Sequence, residues 1–212
     1  MTKLHATVLA CALATLSSCD DPSNLPPAPN SPKLMPLTSR DAVLNNIEVG
    51  WNQRKPSAID DLLDENFTFY FDPGDVGGDI PSSWNRATDL AATTALLQSN
   101  TVPPGSAPVC ERVVIALDLD GLIWTEVPVI ASISTLTETW YSTIVSYSAN
   151  FEMEGDNIYI TVPGAKAQLT VREVEGGWRL VEWRDLAGQS GATASSRDPS
   201  ASTWGKIKAI YR

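Results

Sequence analysis

Histidine is almost absent from the chain. Its 212 residues hold one, His5, which lies in an N-terminal stretch with the layout of a leader. Without that stretch the protein has no imidazole, which excludes Ser-His and Cys-His nucleophile pairs and every His-containing zinc site. Positive charge is also short, with 15 Lys and Arg against 25 Asp and Glu, for a net charge of −10. Such a chain repels phosphate backbones, so nucleic acid is excluded as a partner. Long apolar runs are missing, since Leu4 to Leu16 is too short to span a bilayer comfortably. No internal repeat is visible. The acid-rich stretch Asp72–Ser83 (DPGDVGGDIPSS) lacks EF-hand spacing and a terminal Glu, so it reads as a solvated loop and not a calcium site. Neither a metal nor a cofactor is implied. What the chain does have is 43% hydrophobic residues and seven Trp, ample for one packed core domain.

Residues 1–18 carry Lys3, a short apolar run and then Ser17-Ser18, the order of a secretory signal. Leu16-Ser17-Ser18-Cys19 is similar to the bacterial lipobox. That resemblance implies acylation of Cys19, cleavage before it and attachment to the lipid bilayer on the periplasmic side of a bacterial cell envelope. It would leave Cys110 as the one free thiol, which reads as an inert buried strand residue. Residues 19–37 contain six prolines among Ser and Asn and read as an extended tether. Residues 38–187 form the expected domain. Residues 188–212 read as a flexible polar loop followed by a tail whose Trp204, Ile207, Ile210 and Tyr211 dock back onto it.

Thr38 with Asp41 predicts a capping box, followed by a helix with Leu44, Ile47 and Trp51 on one face. Pro56 opens a short helix carrying Ile59, Leu62 and Leu63. Asn66–Phe71 alternates as a first strand. Ser82 or Ser83 caps a third helix over Trp84–Gln98, with Ala87, Leu90, Ala91, Thr94 and Leu97 as its apolar face. From Val109 the pattern is all-β. Strands are expected at Val109–Leu119, Glu138–Met153, Asn157–Val162, Ala165–Val174 and Gly177–Asp185, with turns at Glu154-Gly155-Asp156-Asn157 and Pro163-Gly164 and a hairpin through Glu175-Gly176-Gly177.

This order predicts an α+β fold: a curved antiparallel sheet of about five to six strands wrapped around N-terminal helices, a cystatin-like cone. The entry helix Asp41–Trp51, the segment Ile59–Phe71 and the closing Gly177-Trp178-Arg179-Leu180-Val181 resemble the nuclear transport factor 2-like superfamily, which includes ketosteroid isomerases and polyketide-cyclase-like (SnoaL-like) proteins. The resemblance implies a pocket between sheet and helices but no particular activity. Isomerases of the superfamily use a Tyr and acidic groups in an apolar pocket. Tyr70, Tyr141, Tyr147 and Asp72 supply those types, without a spacing that singles out a set. Its dehydratases use His, and its epoxide hydrolases an Asp-Arg-Asp set that finds no counterpart here.

Tyr70, Trp84, Trp140, Tyr147, Glu182 and Arg184 are the candidate pocket residues. Glu182 and Arg184 line the mouth if their strand face is concave. Otherwise they form a solvent-facing ion pair, with Val181 and Trp183 turned to the core. No catalytic residue is assigned. The expectation is a non-catalytic module that binds a small apolar ligand or an envelope protein. The alternatives are an isomerase, cyclase or hydrolase using Tyr/Asp/Glu chemistry, and a structural subunit, such as a homodimer, that pairs through its open sheet.

Overall fold

Arg40–Asn52 forms the first helix, α1, because Ser39 caps it by accepting from the Ala42 N–H and because Leu44, Ile47 and Trp51 repeat at helical spacing. The cap is thus one residue later than Thr38. In this computed structural model, residues 32–100, 107–128, 139–154, 158–186 and 203–212 are described. Cys19, most of the tether, the expected turn through Gly155-Asp156-Asn157 and the polar stretch 188–202 lie outside them. The last tether residues are held: the Met35 N–H and C=O pair with the Asn46 amide at 2.7 Å each, and Trp178 N–H donates to Leu37 O at 2.8 Å.

α2 (Pro56–Leu62) begins on its proline, as expected. The turn before it holds Arg54 at φ 53, an uncommon backbone state for a side-chain-bearing residue. Its guanidinium compensates by donating to Leu97 O at 2.9 Å and to Cys110 O at 2.8 Å, tying three elements together.

β1 (Leu63–Tyr70) starts earlier than predicted, directly from α2. β2 (Ser83–Asn85) takes the residues expected to open the third helix, because Trp84 is buried against Phe71 at 4.8 Å. α3 (Arg86–Leu97) is therefore capped by Asn85. It buries Asp89, Ala92, Thr93, Leu96 and Leu97, while Ala87 and Ala91 are exposed. Its inward face is rotated from the expected one because a buried acid takes the place of a small apolar residue.

β3 (Cys110–Asp118), β4 (Thr125–Pro128), β5 (Thr139–Met153), β6 (Ile158–Val174) and β7 (Gly177–Leu186) complete a sheet of order β2-β1-β7-β6-β5-β3, with β4 also paired to β5. β4 is an added strand. Pro163-Gly164 is a one-residue bulge inside continuous β6, not a turn, and Gly164 supplies the φ of 55 that it requires. The sheet is mixed, because β1 runs parallel to β7. The central expectation holds: Leu44, Ile47 and Trp51 are buried beneath the sheet in one core with Phe67, Phe69, Phe71, Phe151 and Leu169. α1 also finishes the free edge of β3. Its Asn52 side chain exchanges two hydrogen bonds with the Ile115 backbone, and its Glu48 accepts from Leu117 N–H.

Candidate functional site

The interior of the cone, between α1, α3 and the sheet, is where the resemblance implies a pocket. It is filled. Residues 204–210 form a short helix, α4 (Trp204–Ile210), capped by Thr203 and packed into this space. Trp204 is 1% exposed. It stacks on Trp183 at 5.9 Å and 16°, meets Trp51 edge-on at 4.4 Å and lies 5.6 Å from Phe151. Ile207 and Tyr211 are also buried, and the Tyr211 hydroxyl donates to Pro108 O at 2.6 Å. Only Ile210 of the expected docking residues turns outward, at 46% exposure. A void of about 20 Å³ remains, room for about one water.

Two polar clusters sit in this apolar interior. In the first, Tyr147 Oη donates to Asp185 Oδ1 at 2.8 Å, Trp183 Nε1 donates to the same oxygen at 3.1 Å, and Gly205 N–H donates to Oδ2 at 3.0 Å. Burial pushes the Asp185 carboxyl up to about 6, although these donors and the Lys208 ammonium pull the other way. Burial, and then the Asp185 charge, hold the Tyr147 hydroxyl well above the usual range. In the second, Lys208 of α4 pairs with Asp89 of α3, and both are almost fully buried. The ammonium also lies over the Phe69 ring, 4.4 Å from its centroid.

The acidic loop after β1 is mostly exposed, as expected, but Asp72 and Asp75 turn inward and the loop holds the outer side of α4. Asp75 accepts from the Thr203 hydroxyl and pairs with Lys206 at 2.9 Å, and Asp79 O accepts from Arg212 at 2.7 Å. Asp72 is buried as well, with Oδ1 capping Gly74 N–H. Among the described residues no group of three or more His, Cys, Asp and Glu is arranged to hold a metal ion.

The six candidate pocket residues are split by the sheet. Tyr147 reaches the interior, and Trp84 is core. Tyr70, Glu182 and Arg184 come together on the opposite face: the Arg184 guanidinium lies 3.8 Å from the Tyr70 ring centroid and 3.6 Å from Glu182. The reason is a bulge in β7, where Thr170 opposes Glu182 but Val171 opposes Leu180. Leu180 and Trp183 both face inward, and Glu182 and Arg184 face out. Trp140 is half-buried near the start of β5, opposite Val127 and Arg172. A separate concavity of about 620 Å³ lies outside the core, bordered by Asp118, Ile123, Ile144 and Gln168. Residues 129–138, which join β4 to β5, are outside the described residues.

Asp185 and Asp89 were not singled out from the sequence. Asp185 lies two residues from Trp183 on the same strand face, so an acid at a core-facing position was the available signal. Asp89 had no such local signal, because its partner lies 119 residues away.

No family model matches the chain, and no curated protein matches it. Solved structures with a similar course include a conserved protein from Planctomyces limnophilus (11% identity, 69% of this chain and 91% of that one, TM-score 0.45). Another is a hexachlorocyclohexane dehydrochlorinase from Novosphingobium barchaimii (10% identity, 69% and 86%, TM-score 0.43). A third is a Mycobacterium tuberculosis protein of unknown function (12% identity, 80% of each chain, TM-score 0.43). On its own topology, with helices packed on a mixed, unclosed seven-stranded sheet, this chain is an α+β protein.

Proposed function

We propose that the chain is a non-catalytic binding or interaction module, carried on the bacterial envelope membrane by an acylated Cys19. The observation that carries this reading is the filled interior. The space that would receive a substrate is taken by the protein's own Trp204, Ile207 and Lys208. Asp185, whose carboxyl is buried, already accepts from three protein donors. Anchoring follows from the lipobox. Among the described residues no helix is long and apolar enough to cross a membrane.

The Tyr147–Asp185 hydrogen bond favours the second reading, acid-base chemistry on an apolar substrate, since a tyrosine beside a desolvated carboxyl is suited to proton transfer. One experiment separates the two. The full chain is incubated with β,γ-unsaturated ketosteroid and polyketide-type substrates, beside its Tyr147→Phe and Asp185→Asn variants. The non-catalytic reading expects the same background rate from all three. Turnover by the parent chain that either substitution abolishes overturns it. Pairing between copies is a third reading. Because the β3 edge is finished by α1 and β2 is only three residues long, such pairing would use the outer face of the sheet.

A further inference from the structure

The helix that fills the cone also indicates what the cone is built to hold. α4 places two chemical groups inside, the Trp204 indole and the Lys208 ammonium, with the nitrogen 5.9 Å from the indole centroid. The walls that receive them belong to other elements. The indole lies among Trp51 of α1, Tyr147 and Phe151 of β5 and Trp183 of β7. The ammonium lies over Phe69 of β1, 4.4 Å from its centroid, and within 6.0 Å of the Trp51 centroid, and it closes on the Asp89 carboxylate of α3. Asp89 is 2% exposed, and Lys208 is its cationic partner. A buried carboxylate next to electron-rich ring faces suits an organic cation, and an adjoining slot between indoles suits a flat ring.

We propose that the cone interior is an aryl-ammonium site, occupied in cis by α4. It would take a free ligand carrying an aromatic ring and a protonated amine joined by a short alkyl linker whenever α4 yields. This rests on reading the interior as a binding space and not a reaction site. Two features make α4 a displaceable occupant. It is only seven residues long. Its outer side is clasped through the loop after β1, where Asp75 takes the half-exposed Lys206 and the Thr203 hydroxyl and Asp79 O takes Arg212.

The test is complementation in the full chain. Trp204→Gly with Lys208→Ala empties both subsites and leaves Asp89 without its cation. Tryptamine is expected to raise the Tm of this variant by roughly 3–6 °C at about ten times its Kd. Indole alone and butylamine alone should each give a smaller shift. Adding Asp89→Asn should erase the advantage of tryptamine over indole. Equal shifts from tryptamine and indole, or an advantage that survives Asp89→Asn, overturn the proposal. If the double variant does not fold, the unmodified chain decides. Millimolar tryptamine must then speed amide exchange in α4 while leaving β5 and β6 unchanged, and no change in α4 overturns the proposal. Substrate turnover would sink the non-catalytic reading without touching this result. Failed complementation would sink the aryl-ammonium site and leave that reading intact.

Discussion

Lys208 and Asp89, 119 residues apart, close a buried ion pair. The pair joins the last helix to α3 and puts a full charge of each sign inside an apolar shell. Two charges in such a place hold each other, and either one alone is a heavy penalty. Lys208→Met and Asp89→Asn are each expected to destabilise the chain by about 3–5 kcal/mol. Lys208→Met combined with Asp89→Leu should recover most of that loss. Denaturant titrations of the three variants check this, and losses that simply add in the double variant would show that the pair is not coupled.

Gly205 sits where α4 packs against Phe71, the residue after β1. A Cβ built there lies 2.6 Å from Phe71 Cδ1, and the residue's N–H is committed to Asp185. Gly205→Ala should therefore cost about 1–3 kcal/mol, because a packed aromatic has to shift. The loss should appear as faster exchange in α4 before it appears in the sheet. Unchanged stability would mean that α4 packs less tightly than the structure indicates.

Asp185 gives a pH signature. Its carboxyl is pushed up to about 6, mainly by burial, whereas an ordinary aspartate titrates near 4. Between those values the folded chain keeps a proton that the unfolded chain has released. Stability from this group is therefore fully present below about pH 4 and is lost, by on the order of 3 kcal/mol, as pH rises through about 6. Melts across that range read it. Asp185→Asn cannot ionise and should flatten that part of the profile, so an unchanged profile contradicts the assignment.

Cys110 is fully buried, and burial pushes its thiol up to about 11. Neutral iodoacetamide should leave it unmodified in the folded chain and label it quickly in denaturant, because the thiolate is the reactive form. Labelling in the native state at the rate of a free peptide thiol would refute its burial.

Anchoring is tested in cells. An alkyne-bearing fatty acid should label the protein, and Cys19→Ala should lose both the label and sedimentation with membranes. A Cys19→Ala protein that still sediments would remove the lipid anchor from the account.

The α+β order, the entry helix and its three core residues, and the closing hairpin could all be read from the sequence because each rests on local periodicity. Leu44, Ile47 and Trp51 recur on one helical face, and β7 alternates around Trp183. Other features have no local signal. The inward face of α3 departs from its apolar stripe because Asp89 reads as a surface residue until Lys208 is seen beside it. Of the two readings of Glu182 and Arg184, the structure has the outward-facing ion pair, and the bulge between Leu180 and Glu182 is what separates them from the inward Leu180, which strict alternation does not anticipate. Pro163-Gly164 reads as a turn by composition, yet the ladder continues through it. The docking of Trp204 was visible as apolar surface at the end of the chain. That it would enter the cone was not, because nothing local states which space is vacant.

The account depends on α4 filling the interior of the cone, and hydrogen exchange of the full chain tests this most directly. Amides of Ile207 to Tyr211 should be protected well beyond the level of a free peptide and should lose protection together when Trp204 is replaced by glycine. Exchange of these amides at the free-peptide rate in the parent chain would mean that the interior is not occupied by this helix.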